Sequence, residues 1–204
     1  MTWLLPCLAG TAITAVVGFT FKSWFNAEGQ AGTEIFLVAF LFAPMIAAIS
    51  GNAGLQTSAI VISGLATGDL AALKLRQVFM REARIALMVA LCCGLIGGLI
   101  CSILPTFFEH RAAVGNRPEA VIQHADVVPE IPVLEANQYI RIAIAFGLAM
   151  FSAIMVSTTL GLFLPFVFRH IGLDPAISSG PLVTTANDSI SVAIYLFLTM
   201  LLTT

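Results

Sequence analysis

The sequence predicts an all-α membrane protein with five transmembrane helices, and three observations carry that reading. The 204 residues are 59% hydrophobic and only 10% charged. Soluble globular domains average about 45–50% apolar and about 25% charged. The few charges are also segregated: uncharged runs occupy 3–21, 35–68, 85–108 and 142–168, and 175–204 is interrupted only by Asp188. Each run meets the length of about 20 apolar residues that crosses a bilayer.

The elements follow in chain order. The first span, about 3–22, has no Lys or Arg before Lys22 and is long for a secretory signal, so it reads as a retained helix. The second, about 35–66, exceeds one bilayer and is expected to tilt or kink, with Pro44 at the kink. Its Ser50, Gly54 and Ser58 form a small-residue stripe that lets another backbone approach. The third, about 83–105, holds the close-packing pair Gly94 and Gly98, extended one turn by Ser102.

An acidic outer segment follows, about 105–138, in which Pro105, Pro118, Pro129 and Pro132 argue against one long helix. His110, His124 and Asp126 in it match no metal-ligand spacing, so it reads as a solvated loop. The fourth span, about 139–168, carries Pro165 as a second kink site. The fifth, about 179–202, is expected to be capped by Ser178 and Ser179, with Pro181 in its first turn. Cys7, Cys92, Cys93 and Cys101 all lie in apolar runs and read as packing residues.

Orientation follows from the basic residues of the short links. Lys74, Arg76, Arg81 and Arg84 lie between the second and third spans, and Arg169 between the fourth and fifth. Glu28, Glu34, Glu109, Glu119, Asp126, Glu130 and Glu135 fall on the other side. The N-terminus is therefore expected inside and the C-terminus outside. The chain reads as a single membrane domain of a multi-pass protein of the cell (inner) membrane.

Two polar clusters enter the membrane. In the second span, Asn52 and Gln56 lie one turn apart on one face, with Ser63 near that stripe. In the fifth, Thr184, Asp188, Ser191 and Tyr195 follow one face, with Thr185 and Asn187 beside them. An ionised carboxylate near a helix centre costs about 2.5–3.5 kcal/mol on insertion scales. Asp188 is expected roughly 13 Å inside the fifth helix, and no Lys or Arg occupies the interior of another span to pair with it. A proton, a water-filled cavity or a passing cation remain. The available ligands are all oxygens, which suit Mg2+, Ca2+ or Mn2+ rather than zinc or copper. One carboxylate can hold a largely hydrated Mg2+, and a two-fold axis would bring two of them to one pore.

These residues also form a pattern. "PMIAAISGNAGLQTSAIVISGLATGDL" and "LGLFLPFVFRHIGLDPAISSGPLVTTANDSISVAIYLF" resemble, in order, four motifs of the membrane domain of the MgtE family of magnesium channels and transporters. The resemblance implies a homodimer in the lipid membrane, with the pore at the dimer interface lined by the second and fifth spans. It implies that Asp188 binds the transported Mg2+ through water, with the Thr184 and Gly180 carbonyls framing that site. Asn52, Gln56, Thr185, Asn187 and Ser191 would complete the pore lining. The motif "SGNAGLQ" and the glycine at position 180 depart from the residues common in the family. The family's cytosolic N-terminal and paired CBS domains have no counterpart in these 204 residues, and the chain is expected to be an excised or separately encoded core.

Two other functions stay open at this point, a Na+- or H+-coupled divalent cation exchanger and a non-transporting structural or accessory subunit. No His-Glu-x-x-His pair or Gly-x-Ser-x-Gly elbow points to an enzyme. No basic patch of the kind that binds nucleic acid is present.

Overall fold

The computed structural model describes residues 4–68, 77, 80, 81, 83–85, 87–89, 91–97, 99, 100, 103 and 134–203. All regular structure in these residues is helical. Helix α1 is Leu4–Ala27, α2 is Gln30–Thr67, α4 is Ala136–His170 and α5 is Pro175–Thr203. Between them lies a shorter apolar helix, α3, over Ala83–Gly97. Four helices, α1, α2, α4 and α5, are long and apolar enough to cross a membrane. The third span expected over 83–105 is described only through α3 and three residues beyond it. Gly98, Cys101, Ser102 and most of the acidic segment, with His110, His124 and Asp126, lie outside the described residues.

Several boundaries move outward from the sequence expectation, because helix geometry continues past the end of the apolar run. Helix α1 extends through Lys22 to Ala27 and reaches α2 across only Glu28 and Gly29. Gly29 sits at φ 84, a left-handed conformation that glycine adopts without steric cost. The Thr33 hydroxyl donates to the Asn26 side chain across that turn at 3.0 Å. Helix α4 opens on a capping box in which the Gln138 side chain accepts from the Glu135 backbone N–H. Pro44 and Pro165 lie within continuous α2 and α4.

The start of α5 corrects the sequence expectation. Ser178 and Ser179 are inside the helix, which begins at Pro175. The Asp174 carboxylate accepts from the Ala176 backbone N–H at 2.9 Å, so Asp-Pro opens the helix. Ser179 instead donates to the Pro175 carbonyl and bonds with Ser58 of α2. Pro181 is interior to the helix. Asp188 therefore lies about 20 Å along the axis at 1.5 Å per residue, deeper than first expected.

Helices α2, α4 and α5 pack against one another, and α1 lies against α5 and α2. The core is apolar and aromatic: Phe146 of α4 meets Tyr195 of α5 and Phe42 of α2 edge-on. Ile46, Met150 and Ile154 fill the space around them. Outside, Leu8, Val16 and Phe19 of α1 and Leu41 of α2 are exposed, as a lipid-facing surface requires. Helices α2 and α4 approach closely. A Cβ on Gly54 would overlap Ser157 Oγ, and one on Gly161 would overlap the Gly54 carbonyl oxygen. Gly94 of α3 likewise faces Gly147 of α4.

Candidate functional site

The polar groups of α2 and α5 meet along an antiparallel seam whose register follows from individual contacts. Ser58 bonds with Ser179 at 3.0 Å. A Cβ on Gly54 would come 2.8 Å from Val183, and one on Gly180 would come 3.7 Å from Leu55. Asn187 Nδ2 reaches both the Ala47 carbonyl and Ser50 Oγ at 3.0 Å. The Ser50, Gly54, Ser58 stripe legible in the sequence is thus the buried α5- and α4-facing side of α2.

This register sets the depths. Asn52 lies about 22 Å from the C-terminal end of α2, Gln56 about 16 Å, and Asp188 about 20 Å from the N-terminal start of α5. The seam pairs positions 50, 54 and 58 of α2 with 187, 183 and 179 of α5, and α2 runs about 7 Å past the α5 start. Asp188 therefore stands opposite position 49, with Asn52 about 5 Å and Gln56 about 10 Å from that level toward the α5 start. Asn52 and Gln56 are on the opposite side of α2 from the seam, and both are exposed. Asp188 is partly buried. Successive helix residues turn by about 100°, so Asp188 points between the α2-facing Asn187 and the α1-facing Ser189.

Helix α1 closes the other side. Thr14 and Ser189 hydroxyls bond at 2.7 Å, and Ser189 also donates to the Gly10 carbonyl at 3.3 Å. A Cβ on Gly10 would overlap the Thr185 methyl. Thr185 therefore packs against α1, with its hydroxyl donating to the Pro181 carbonyl. Thr184 Oγ1 donates to the Gly180 and Pro181 carbonyls. Asn187 and Ser191, read from sequence as pore lining, are instead turned into the helix packing, 1% and 0% exposed. The Ser191 hydroxyl donates to the Asp188 carbonyl at 3.2 Å.

Chemically, the described part of the site offers one carboxylate, several hydroxyls and backbone carbonyls, and two exposed amides. Among the described residues no cluster of three or more His, Cys, Asp or Glu forms a cage. The cationic side chains of the described helices sit near helix ends, as Lys22, Arg141 and Arg169 do. Such a site suits a hydrated hard cation that keeps its water, because a single carboxylate cannot replace a hydration shell.

Comparison with known proteins gives this oxygen-only site a family. The MgtE family model, described as a divalent cation transporter, matches residues 43–198. This chain belongs to the MgtE family. It is 26% identical over 191 residues to the magnesium transporter MgtE of Bacillus subtilis (strain 168), covering 94% of this chain and 34% of that protein. It is 28% identical over 201 residues to that of Thermus thermophilus, covering 98% of this chain and 35% of that one. The corresponding figures for the Enterococcus faecalis protein are 26% over 155 residues, 76% and 27%. The chain thus spans about a third of the length of the curated relatives it matches. The MgtE match begins inside α2 and runs almost to the end of α5, taking in the whole seam.

Three contributors escaped the sequence reading: Gly10 and Thr14 of α1, and Ser189 of α5. The i, i+4 spacing of Gly10 and Thr14 is the same small-residue signal that singled out Ser50 and Gly54. It was available, but nothing in the first span marked which neighbour it would meet.

Proposed function

We propose that this chain is the membrane core of a Mg2+ channel or transporter that works as a homodimer in the cell (inner) membrane. The observation that carries the reading is Asp188, a partly buried carboxylate deep in α5, with the exposed amides Asn52 and Gln56 of α2 about one and two turns from its level toward the α5 start. An amide on the outer face of a spanning helix leaves polar groups without partners in hydrocarbon. Water or a second copy of the chain must cover that face. In the homodimer proposed, a two-fold axis pairs the two Asp188 carboxylates around one path.

In this reading Asp188 holds Mg2+ through its water, and the carbonyls of Thr184 and Gly180, one and two turns earlier, frame the hydrated ion. Asn52 and Gln56 line the path, and Thr185 flanks it from the α1 side. Asn187 and Ser191 act behind the lining. The N-terminus lies inside and the C-terminus outside, as the basic links imply. The cytosolic Mg2+-sensing domains that the family resemblance implies would act on this core from outside the 204 residues. The names of the relatives favour Mg2+ over other hard divalent ions.

Divalent flux into liposomes, wild type against Asp188→Asn with Mg2+, Mn2+, Co2+ and Ca2+ in competition, tests the reading. Mg2+ uptake that follows membrane potential and is lost in Asp188→Asn is the expected result. Uptake that requires a Na+ or proton gradient would establish the coupled exchanger instead. Normal uptake by a folded Asp188→Asn dimer would leave the carboxylate without a role in the ion path.

A further inference from the structure

The α2–α5 seam is built mainly from small and apolar groups, whose close packing carries less directional information than a hydrogen bond. Ser58 with Ser179 holds one end. At the level of Asp188 the contact changes character. Asn187 donates from Nδ2 to the Ala47 carbonyl and to Ser50 Oγ, each at 3.0 Å. These bonds are directional, and one of them reaches a backbone atom of α2. Ser50 is itself held, donating to the Ile46 carbonyl at 2.7 Å. Gly51 leaves the room, since a Cβ there would already stand 3.4 Å from Nδ2.

The other end of the same amide is unsatisfied. Asn187 Oδ1 is buried and has no hydrogen-bond partner. A rotated amide does not cure this, because the Ala47 carbonyl accepts only from the nitrogen. A buried orphan acceptor costs stability that offsets the two bonds made by the nitrogen. An apolar side chain of the same size would fill the seam at least as well. Stability alone therefore gives little reason for an asparagine here.

Direction gives a better one. Asp188 follows Asn187 by one residue, so the rotation of α5 that satisfies Asn187 also sets where the carboxylate points. We propose that Asn187 is a positioning residue, whose latch to Ala47 and Ser50 sets the rotation of α5 that aims Asp188 at the ion path. The inference rests on Asp188 as the ion-binding carboxylate. It adds a role for a residue that touches no ion itself.

The test uses the full chain in liposomes, with Mg2+ uptake measured against Mg2+ concentration, Ca2+ competition, and thermal stability in detergent. Asn187→Leu keeps the volume and removes both the latch and the orphan. Its expected effect is a half-saturating Mg2+ concentration raised at least roughly fivefold, the scale of a weak coupling between sites. Its midpoint of unfolding stays close to wild type. Ser50→Ala, which keeps the Ala47 carbonyl, shifts the half-saturation the same way by less. Unchanged half-saturation and ion preference in Asn187→Leu, whether or not its stability falls, overturn the inference. If Asn187→Leu does not fold, Ser50→Ala decides by the same readout. Asp188→Asn is run alongside: normal uptake there removes the ion-site reading and this inference with it. Lost uptake there with an unaltered Asn187→Leu removes this inference alone.

Discussion

Replacing Gly54 by alanine adds a single methyl where the structure has no room. The added Cβ would overlap Ser157 Oγ and stand 2.8 Å from the Ser157 carbonyl oxygen and from Val183 Cγ1. The serine hydroxyl can rotate away, but the carbonyl is part of α4. Helix α4 or α5 must therefore move off α2. Overpacking of this kind costs about 1–3 kcal/mol. Alanine returns up to about 1 kcal/mol of helix propensity. A net loss of about 1–2 kcal/mol would lower the midpoint of thermal unfolding by roughly 2–8 °C for a chain of this size. Gly180→Ala is the matched control, because its methyl meets only Leu55 Cδ2 at an ordinary 3.7 Å. Thermal unfolding of both variants in one detergent, followed by loss of the monodisperse peak on size exclusion, reads the difference. Gly180→Ala should equal or exceed wild type. A Gly54→Ala protein as stable as wild type, or an equal loss in both variants, would refute the close-approach argument.

Two further outcomes follow from the same geometry. Thr14→Val removes the hydroxyl bond to Ser189 while keeping the shape, and should cost about 0.6 kcal/mol, a typical interhelical polar contact in a membrane. Faster amide exchange confined to α1 would check it, and unchanged exchange there would show that α1 is held by packing alone. Asn52→Leu exchanges an exposed amide for an apolar group on the outer face of α2. In a water-lined path it should lower Mg2+ uptake without destabilising the fold, whereas unaltered uptake would place that face in lipid.

The legible part of this protein is specific. The apolar runs located α1, α2, α4 and α5 to within a few residues at most ends, because the bilayer sets a length that hydropathy reads directly. The stripe Ser50, Gly54, Ser58 was recognisable as a close-packing face, and it does pack against α4 and α5. Asp188 stood out by its cost alone. The start of α5 was misread because two serines before an apolar run looked like a cap, while Asp174 and Pro175 open the helix several residues earlier. That shift carried the depth of Asp188 with it. The i, i+3 and i+4 stripe through Thr184, Asp188 and Ser191 was a real face of the helix, yet it runs from partly exposed to fully buried.

Local hydropathy is additive along the chain, so the sequence by itself determined where helices form, which residues are small, and which polar groups are expensive. Rotation about each helix axis is another matter. A helix that is apolar on every side has no amphipathic face to declare its inside, so the pattern cannot say which way Asn52 or Asn187 points. That was decided by contacts between residues far apart in the chain: Gly54 against Ser157, Ser58 with Ser179, Thr14 with Ser189, and Asn187 on Ala47 and Ser50. In a medium without a hydrophobic drive between helices, close packing and directional hydrogen bonds are the forces left to choose a rotation. They turn Asn187 inward, leave Asn52 and Gln56 outside, and set Asp188 between α2 and α1.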